Sequence, residues 1–434
     1  MPLKRKKNIK KMYKKTTLDN GLRLIEVNSQ DTNTATVLVL VGAGSKYETK
    51  EISGISHFLE HLQFKGTKKR PTEMDIFSFL DGMGAVSNAF TSQEYTGYYA
   101  KTQKAKFETV FDLIADIFLN STLPAEEIEK ERGTIIEELK MFYDHPMRHI
   151  WTVWGGVLYG DQPAGWDIGG TIDTVKKISR EQLIAYRHSN YAAQNTIVCV
   201  SGNFNHELAL DLTKKYFSDF ATKPLAKKTP VAEIQNSPNV LIYKKDTQQT
   251  QIALGVRAFN LFHPKRFALE LLEKILGGMC SSRLMEEVRI KRGLVYDVHT
   301  ELAMDPDVGS LAAAANLDST RLDEGIKVIL GEFKKIKEKE ISSGELQKAK
   351  DNYIGKSSII LESSHAKGLF YSEQELLENQ VLEPEDVYEK IKKVTAQDIQ
   401  EAAREIFVPE KLNLAVIGPY DNKSRFERLM ENAL

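Results

Sequence analysis

The chain repeats itself at half its length. KKISREQLIAYRHSNYAAQNTIVCVSGNF begins at Lys176 and KKVTAQDIQEAAREIFVPEKLNLAVIGPY at Lys392, 216 residues apart in a chain of 434. Each copy opens on a hydroxyl residue placed to cap a helix, Ser179 or Thr395, and ends in an apolar strand closing on Gly202 or Gly418. TATVLVLVGAGS from Thr34 and TQIALGVRA from Thr250 share the same offset. Within each half a hairpin signal precedes runs of helices, as at Asn20-Gly21 in LDNGLRLIEV. The expected class is therefore α+β, in two tandem homologous halves, each a mostly antiparallel sheet with helices packed on one face. The stretch holding Pro224, Pro230 and Pro238 lacks periodicity and reads as a linker. The boundaries that follow are a basic arm (1–15), a first domain (16–221), the linker (222–239) and a second domain (240–434).

Only the first half carries an evident chemical motif, His57-Phe-Leu-Glu60-His61. If residues 53–66 are helical, these three polar side chains share one face about 100° wide. Two imidazoles at i and i+4 can grip one ion, and the carboxylate between them can take a proton from a water held there. The order H-x-x-E-H is the inverse of the common zincin motif. At the 216-residue offset the second half has Glu273 and Gly277 in place of the histidines, so it cannot bind a metal in the same way.

A catalytic zinc takes three protein ligands as a rule, so one more must come from elsewhere. PAEEIEKERGTIIEELKM, residues 124–141, reads as a helix with Pro124 at its start, acids in its first turn and apolar residues at near-helical spacing. Glu131 and Glu138 lie two turns apart on one face, and either could point at the histidine pair. Gly133 costs this helix roughly 1 kcal/mol relative to Ala, which suggests close approach to another element. HPMRH offers a rival pair, His145 and His149, but Pro146 argues for a helix end and loop there, and no carboxylate is placed as a base.

SGISHFLEHLQFKGT, with the last glutamate of ERGTIIEE 77 residues beyond His61, resembles the pitrilysin/insulinase family of zinc peptidases, in the branch of mitochondrial processing peptidase and its short bacterial relatives. The resemblance implies one Zn2+ per chain held by His57, His61 and Glu138. It makes Glu60 the general base and Glu131 an outer residue orienting a ligand, and it leaves Glu137 structural. NAFTSQEYTGYYA, residues 88–100, resembles the family's edge strand, which binds peptide by strand addition, with Asn88 and Ala89 lining the substrate. In SSRLMEEVRIKRGLVYDV, Arg292 and Tyr296 match an Arg and a Tyr that reach the substrate from the second half of family members. Family members close a chamber from four such halves. Two halves therefore imply a homodimer cleaving unstructured peptides, each second half facing the other copy's site. The alternatives are a processing-peptidase subunit that needs a different chain, and a non-catalytic structural or binding homologue.

Composition agrees with a globular chain, 41% hydrophobic and 27% charged. A net charge of −1 gives no general attraction to nucleic acid or anionic membranes, and no apolar run approaches a membrane span. Lys or Arg fills eight of the first fifteen positions without an apolar core, which reads as a solvated arm rather than a signal, so a cytoplasmic location is expected. Cys199 and Cys280 are too few for a disulfide framework and read as packing residues.

Overall fold

The computed structural model describes residues 11–431. The first half contributes strands β1 (Tyr13–Thr17), β2 (Arg23–Asn28), β3 (Thr34–Val41), β4 (Val86–Thr91), β5 (Thr96–Gln103) and β6 (Thr196–Gly202), in the sheet order β1-β2-β6-β3-β5-β4. Among the described residues of this half, only β2 and β6 pair in parallel. Its helices are α1 (Ile55–Leu62), α2 (Glu73–Gly82), α3 (Phe107–Asn120), α4 (Ala125–Asp144), α5 (Pro146–Tyr159), α6 (Ile172–Lys177), α7 (Arg180–Asn190) and α8 (His206–Phe217).

The second half repeats the plan with β7 (Asn239–Lys244), β8 (Gln249–Ala258), β9 (Val298–Met304), β10 (Gly309–Asp318) and β11 (Leu412–Gly418), in the order β7-β11-β8-β10-β9. Again one neighbouring pair, β7 with β11, is parallel. Its helices are α9 (Arg266–Glu273), α10 (Leu322–Glu338), α11 (Ser343–Ile360), α12 (Ser364–Glu378), α13 (Pro384–Lys393), α14 (Ala396–Ile406) and α15 (Ser424–Met430). The molecule is thus α+β in two mixed, mostly antiparallel sheets, as the repeat predicts. Ser179 and Thr395 both cap their helices by accepting the N–H of the third residue on.

Each half's own helices cover one face of its sheet and enclose its main core. The other face is covered by a helix of the opposite half, an arrangement no local pattern encodes. Helix α5 lays Ile150, Val153, Trp154 and Val157 on Ala253, Ala312, Ala415 and Ile417 of the second sheet. Helix α12 returns the contact, with Tyr371 packed on Ile25, Leu38 and Cys199 of the first. The two small clusters lock the halves together by burial of apolar area.

Several local expectations are corrected. Helix α1 starts at Ile55, not residue 53, because Gly54 holds φ +95°, a left-handed conformation in which a Cβ would also strike the Gly169 carbonyl. Pro146 begins a helix rather than a loop: at its first position the missing N–H costs nothing, and His149 lies buried between Tyr143 and Tyr243. Gly133 marks no close approach, since a Cβ there would meet nothing within 4 Å. Cys199 is buried in β6, but Cys280 is exposed. Among the described residues, no helix is long and apolar enough to cross a membrane. Most of the basic arm lies outside the described residues, and β1 begins at Tyr13 within it.

Candidate active site

Helix α1 is fixed from both its apolar face and its first turn. Ile55, Phe58, Leu59 and Leu62 recur at helical spacing and are fully buried, which turns His57, Glu60 and His61 toward the cleft. Its N-terminus is capped from outside: the buried Glu48 carboxylate accepts the N–H of Gly54 at 2.7 Å and of Ser56 at 2.8 Å. Helix α4 packs across it through Ile128, Ile135 and Leu139, bringing Glu131 and Glu138 to the histidine pair.

The two glutamates take different places. Glu138 Oε2 lies 3.7 Å from His57 Nε2 and 3.5 Å from His61 Nε2, and the two Nε2 atoms are 3.1 Å apart. Ligands at about 2.0–2.1 Å from a tetrahedral zinc would be separated by about 3.3 Å, so the three donor atoms fit the face of such a site. Glu138 Oε2 is buried with no hydrogen-bond partner among the described residues, an acceptor left free for a cation. Glu131 instead pairs with the far side of the ring, 2.8 Å from His61 Nδ1, and is held in turn by Lys65 at 2.7 Å. A carboxylate behind a ligating imidazole fixes its tautomer and orientation.

Burial and neighbouring charges shift the titration of these groups in different directions. Burial, reinforced by the charge of His61, pushes the His57 imidazole down to about 3, so it is neutral and free to ligate. Burial acts the same way on His61 but is outweighed by the Glu131 hydrogen bond and the charges of Glu60, Glu131 and Glu138, which raise it. Burial also raises the Glu60 carboxyl above its ordinary range, against the hydrogen bond that Thr91 Oγ1 donates to Glu60 Oε2 at 2.6 Å. For Glu131 the hydrogen bonds from His61 and Lys65 overcome burial and lower it.

The site opens on a cleft of about 1610 Å³ between the halves. One wall is β4, an edge strand whose only neighbour among the described residues is β5, in the register Asn88 with Tyr99 and Ala89 with Tyr98. Asn88 and Ala89 both line the cleft, whose far wall comes from β9 and α12 of the second half. Arg292 and Tyr296 are not brought to it. Arg292 donates to Glu287 at 2.6 Å, and Tyr296 is 87% exposed with Arg289 over its ring. The sequence reading missed Thr91, although it stands within a stretch already singled out, and Glu48, for which no local signal exists.

Two imidazoles and a carboxylate able to hold a metal, with a second carboxylate beside them, make the arrangement of a metal-dependent hydrolase. Residues 23–152 match the family described as insulinase (peptidase family M16), and residues 177–353 match the peptidase M16 inactive domain. The "uncharacterized zinc protease YmxG" of Bacillus subtilis is 31% identical over 95% of this chain and 99% of its own. An "uncharacterized zinc protease" of Mycobacterium leprae is 32% identical over 95% of this chain and 93% of its own. The crystal structure of a protease from Helicobacter pylori superposes with a TM-score of 0.88 at 26% identity, covering 94% of this chain and 99% of that one. The chain belongs to the M16 (insulinase) family of peptidases. A chain of complex III2 from Candida albicans shares the fold alone, at 18% identity and a TM-score of 0.83, covering 96% of this chain and 99% of that one.

Proposed function

We propose that the protein is a zinc endopeptidase with one zinc per chain, cleaving extended, unstructured peptides in a chamber closed by a second copy. The observation that carries this reading is the meeting of His57, His61 and Glu138 beside Glu60, along an open strand edge. His57, His61 and Glu138 would hold the zinc, which when bound supplies Lewis acidity that lowers the pKa of water and polarises a peptide carbonyl. Glu60 accepts the proton of the attacking water and passes it to the leaving amine, and Thr91 holds the carboxylate in place for both transfers. Glu131 keeps His61 turned toward the metal. An extended peptide adds to β4, where main-chain hydrogen bonds give affinity with little demand on sequence.

Tyr296 and Arg292 stand outside their own cleft and exposed, which favours their service to the site of a second copy. The test is hydrolysis of an unstructured quenched-fluorescence peptide library by metal-quantified protein. Activity near one zinc per chain, lost in Glu60→Gln with zinc retained, is the expected result. Zinc binding without cleavage of any peptide would overturn the reading in favour of a chain that needs a different partner or has no catalytic role. Mixing Glu60→Gln with Tyr296→Phe checks the second copy: the mixture regains activity that neither variant has alone, because one mixed pairing joins an intact base to an intact tyrosine.

A further inference from the structure

The cleft walls meet at a buried ammonium. Lys46 is 1% exposed, and its Nζ lies 3.0 Å from Glu94, 2.6 Å from Asp305 and 2.9 Å from Asp307. Glu94 belongs to the turn between β4 and β5, and both aspartates to the turn between β9 and β10, so one side chain bridges the two halves. Lys228 of the linker braces the same group, 2.6 Å from Glu94 and 3.1 Å from Asp307. Two ammonium groups thus face three carboxylates in a half-buried place, where an unpaired charge is costly. The acids do not form a metal site, because Lys46 occupies the space between them.

The backbone around Lys46 reaches both working parts of the active site. The N–H groups of Ser45 and Lys46 donate to the carbonyls of Ser92 at 3.1 Å and Gln93 at 3.0 Å, the residues that directly follow Thr91 in the chain. No room separates the two segments: a Cβ on Gly44 would stand 2.3 Å from the Ser92 carbonyl. Two residues beyond Lys46, Glu48 caps the first turn of α1. The turn after Thr91 has a second tie to the far half, since the Tyr95 hydroxyl donates to Glu373 of α12. The strand that would bind substrate and the helix that bears Glu60 are therefore hung on one four-residue segment, 45–48, whose side-chain anchor lies in the opposite half.

We propose that Lys46 is a positioning residue: it ties the placement of the second half to the spacing between helix α1 and edge strand β4, and so sets the geometry in which Glu60 meets a bound peptide. The inference rests on the peptidase reading for its kinetic consequence but not for its structural one. The zinc ligands keep their mutual spacing, because His57 and His61 share α1 with Glu60, and α4, which bears Glu138, packs directly against that helix through Ile128, Ile135 and Leu139. Loss of Lys46 leaves three carboxylates facing the single ammonium of Lys228, and their repulsion parts the β9–β10 turn from the β4–β5 turn.

The test compares the wild-type chain with Lys46→Met, Lys46→Arg and the double variant Asp305→Asn/Asp307→Asn, which loosens the same tie from the far half. Lys46→Met is expected to lower kcat/KM at least tenfold with zinc content and zinc affinity unchanged. Lys46→Arg recovers most of that loss, and the double variant shows a smaller loss of the same kind. Hydrogen–deuterium exchange is expected to quicken together at residues 45–46, 54–56 and 92–95 in Lys46→Met, while the amides of α4 hold their rate. Unchanged exchange at these three segments overturns the proposal, as does a loss of activity that tracks loss of zinc or is not recovered by arginine. If the wild-type protein cleaves no peptide, the peptidase reading fails, and the exchange pattern still decides whether Lys46 couples the halves.

Discussion

Helix α1 and helix α9 occupy corresponding places in the two halves, and only one is built for chemistry. In α1 the inward positions are apolar and the cleft-facing ones are His57, Glu60 and His61. At the matching offset, Glu273 is buried, accepts a hydrogen bond from Thr300 at 2.9 Å and pairs with Lys274 at 3.0 Å. Gly277 stands where a Cβ would lie 2.6 Å from the Thr300 backbone nitrogen. The helix continues there into a π-helical segment (Lys274–Gly278), which brings it hard against β9. The same architecture thus spends one copy of a helix on a face able to hold a metal and the other on packing. A fold of this kind constrains where a site can be, not whether there is one.

The contrast can be broken most severely at Glu60. Glu60→Gln is expected to cost roughly 10²–10⁴-fold in kcat, the usual worth of a general base, with zinc retained on metal analysis. Glu131→Gln removes only the carboxylate behind His61 and is expected to weaken zinc binding about 10–100-fold, measured by competition with a chromogenic chelator. The reverse experiment, Glu273→His with Gly277→His, asks whether the second half can be given a site. Zinc should stay at one per chain and the midpoint of thermal unfolding should fall, because a side chain at 277 has no space beside Thr300.

Two smaller effects sharpen the comparison. The Glu60 carboxyl is raised by burial and lowered by the Thr91 hydrogen bond, and a base must be ionised to act. Thr91→Val should therefore move the acid limb of the kcat/KM profile to higher pH, whereas a shift to lower pH would contradict the assignment of that limb to Glu60. Gly133 sits exposed in the middle of α4 with nothing near its Cα hydrogens. Gly133→Ala should stabilise the fold by about 0.5–1 kcal/mol in denaturant unfolding and leave turnover unchanged.

How much of this was legible in the sequence depended on whether the information was local. The caps at Ser179 and Thr395 and the Asn20-Gly21 turn follow from short-range patterns, the duplication follows from their recurrence 216 residues on, and the structure contains each of them, whereas the stretch 88–100, read as one edge strand, divides between β4 and β5. The spacing of His57, Glu60 and His61 showed that they share a face, but spacing alone could not choose between Glu131 and Glu138. The family resemblance chose Glu138, and the structure brings Glu138 within 4 Å of both rings while Glu131 sits behind one of them. Glu48, Lys46 and Thr91 act on residues made neighbours only by the fold, so no periodicity announces them. The early start expected for α1 failed at Gly54, where backbone handedness overrode the apolar pattern.

The exchange of α5 and α12 between the halves has a practical corollary. A protease that nicks the linker would yield two fragments that still migrate as one particle, because each carries the lid of the other's sheet. Either fragment made alone would present a bare apolar sheet face to water, the kind of surface that drives aggregation. Recombinant work on one half of this protein therefore calls for co-expression of the other half, or for supplying the missing helix as a peptide.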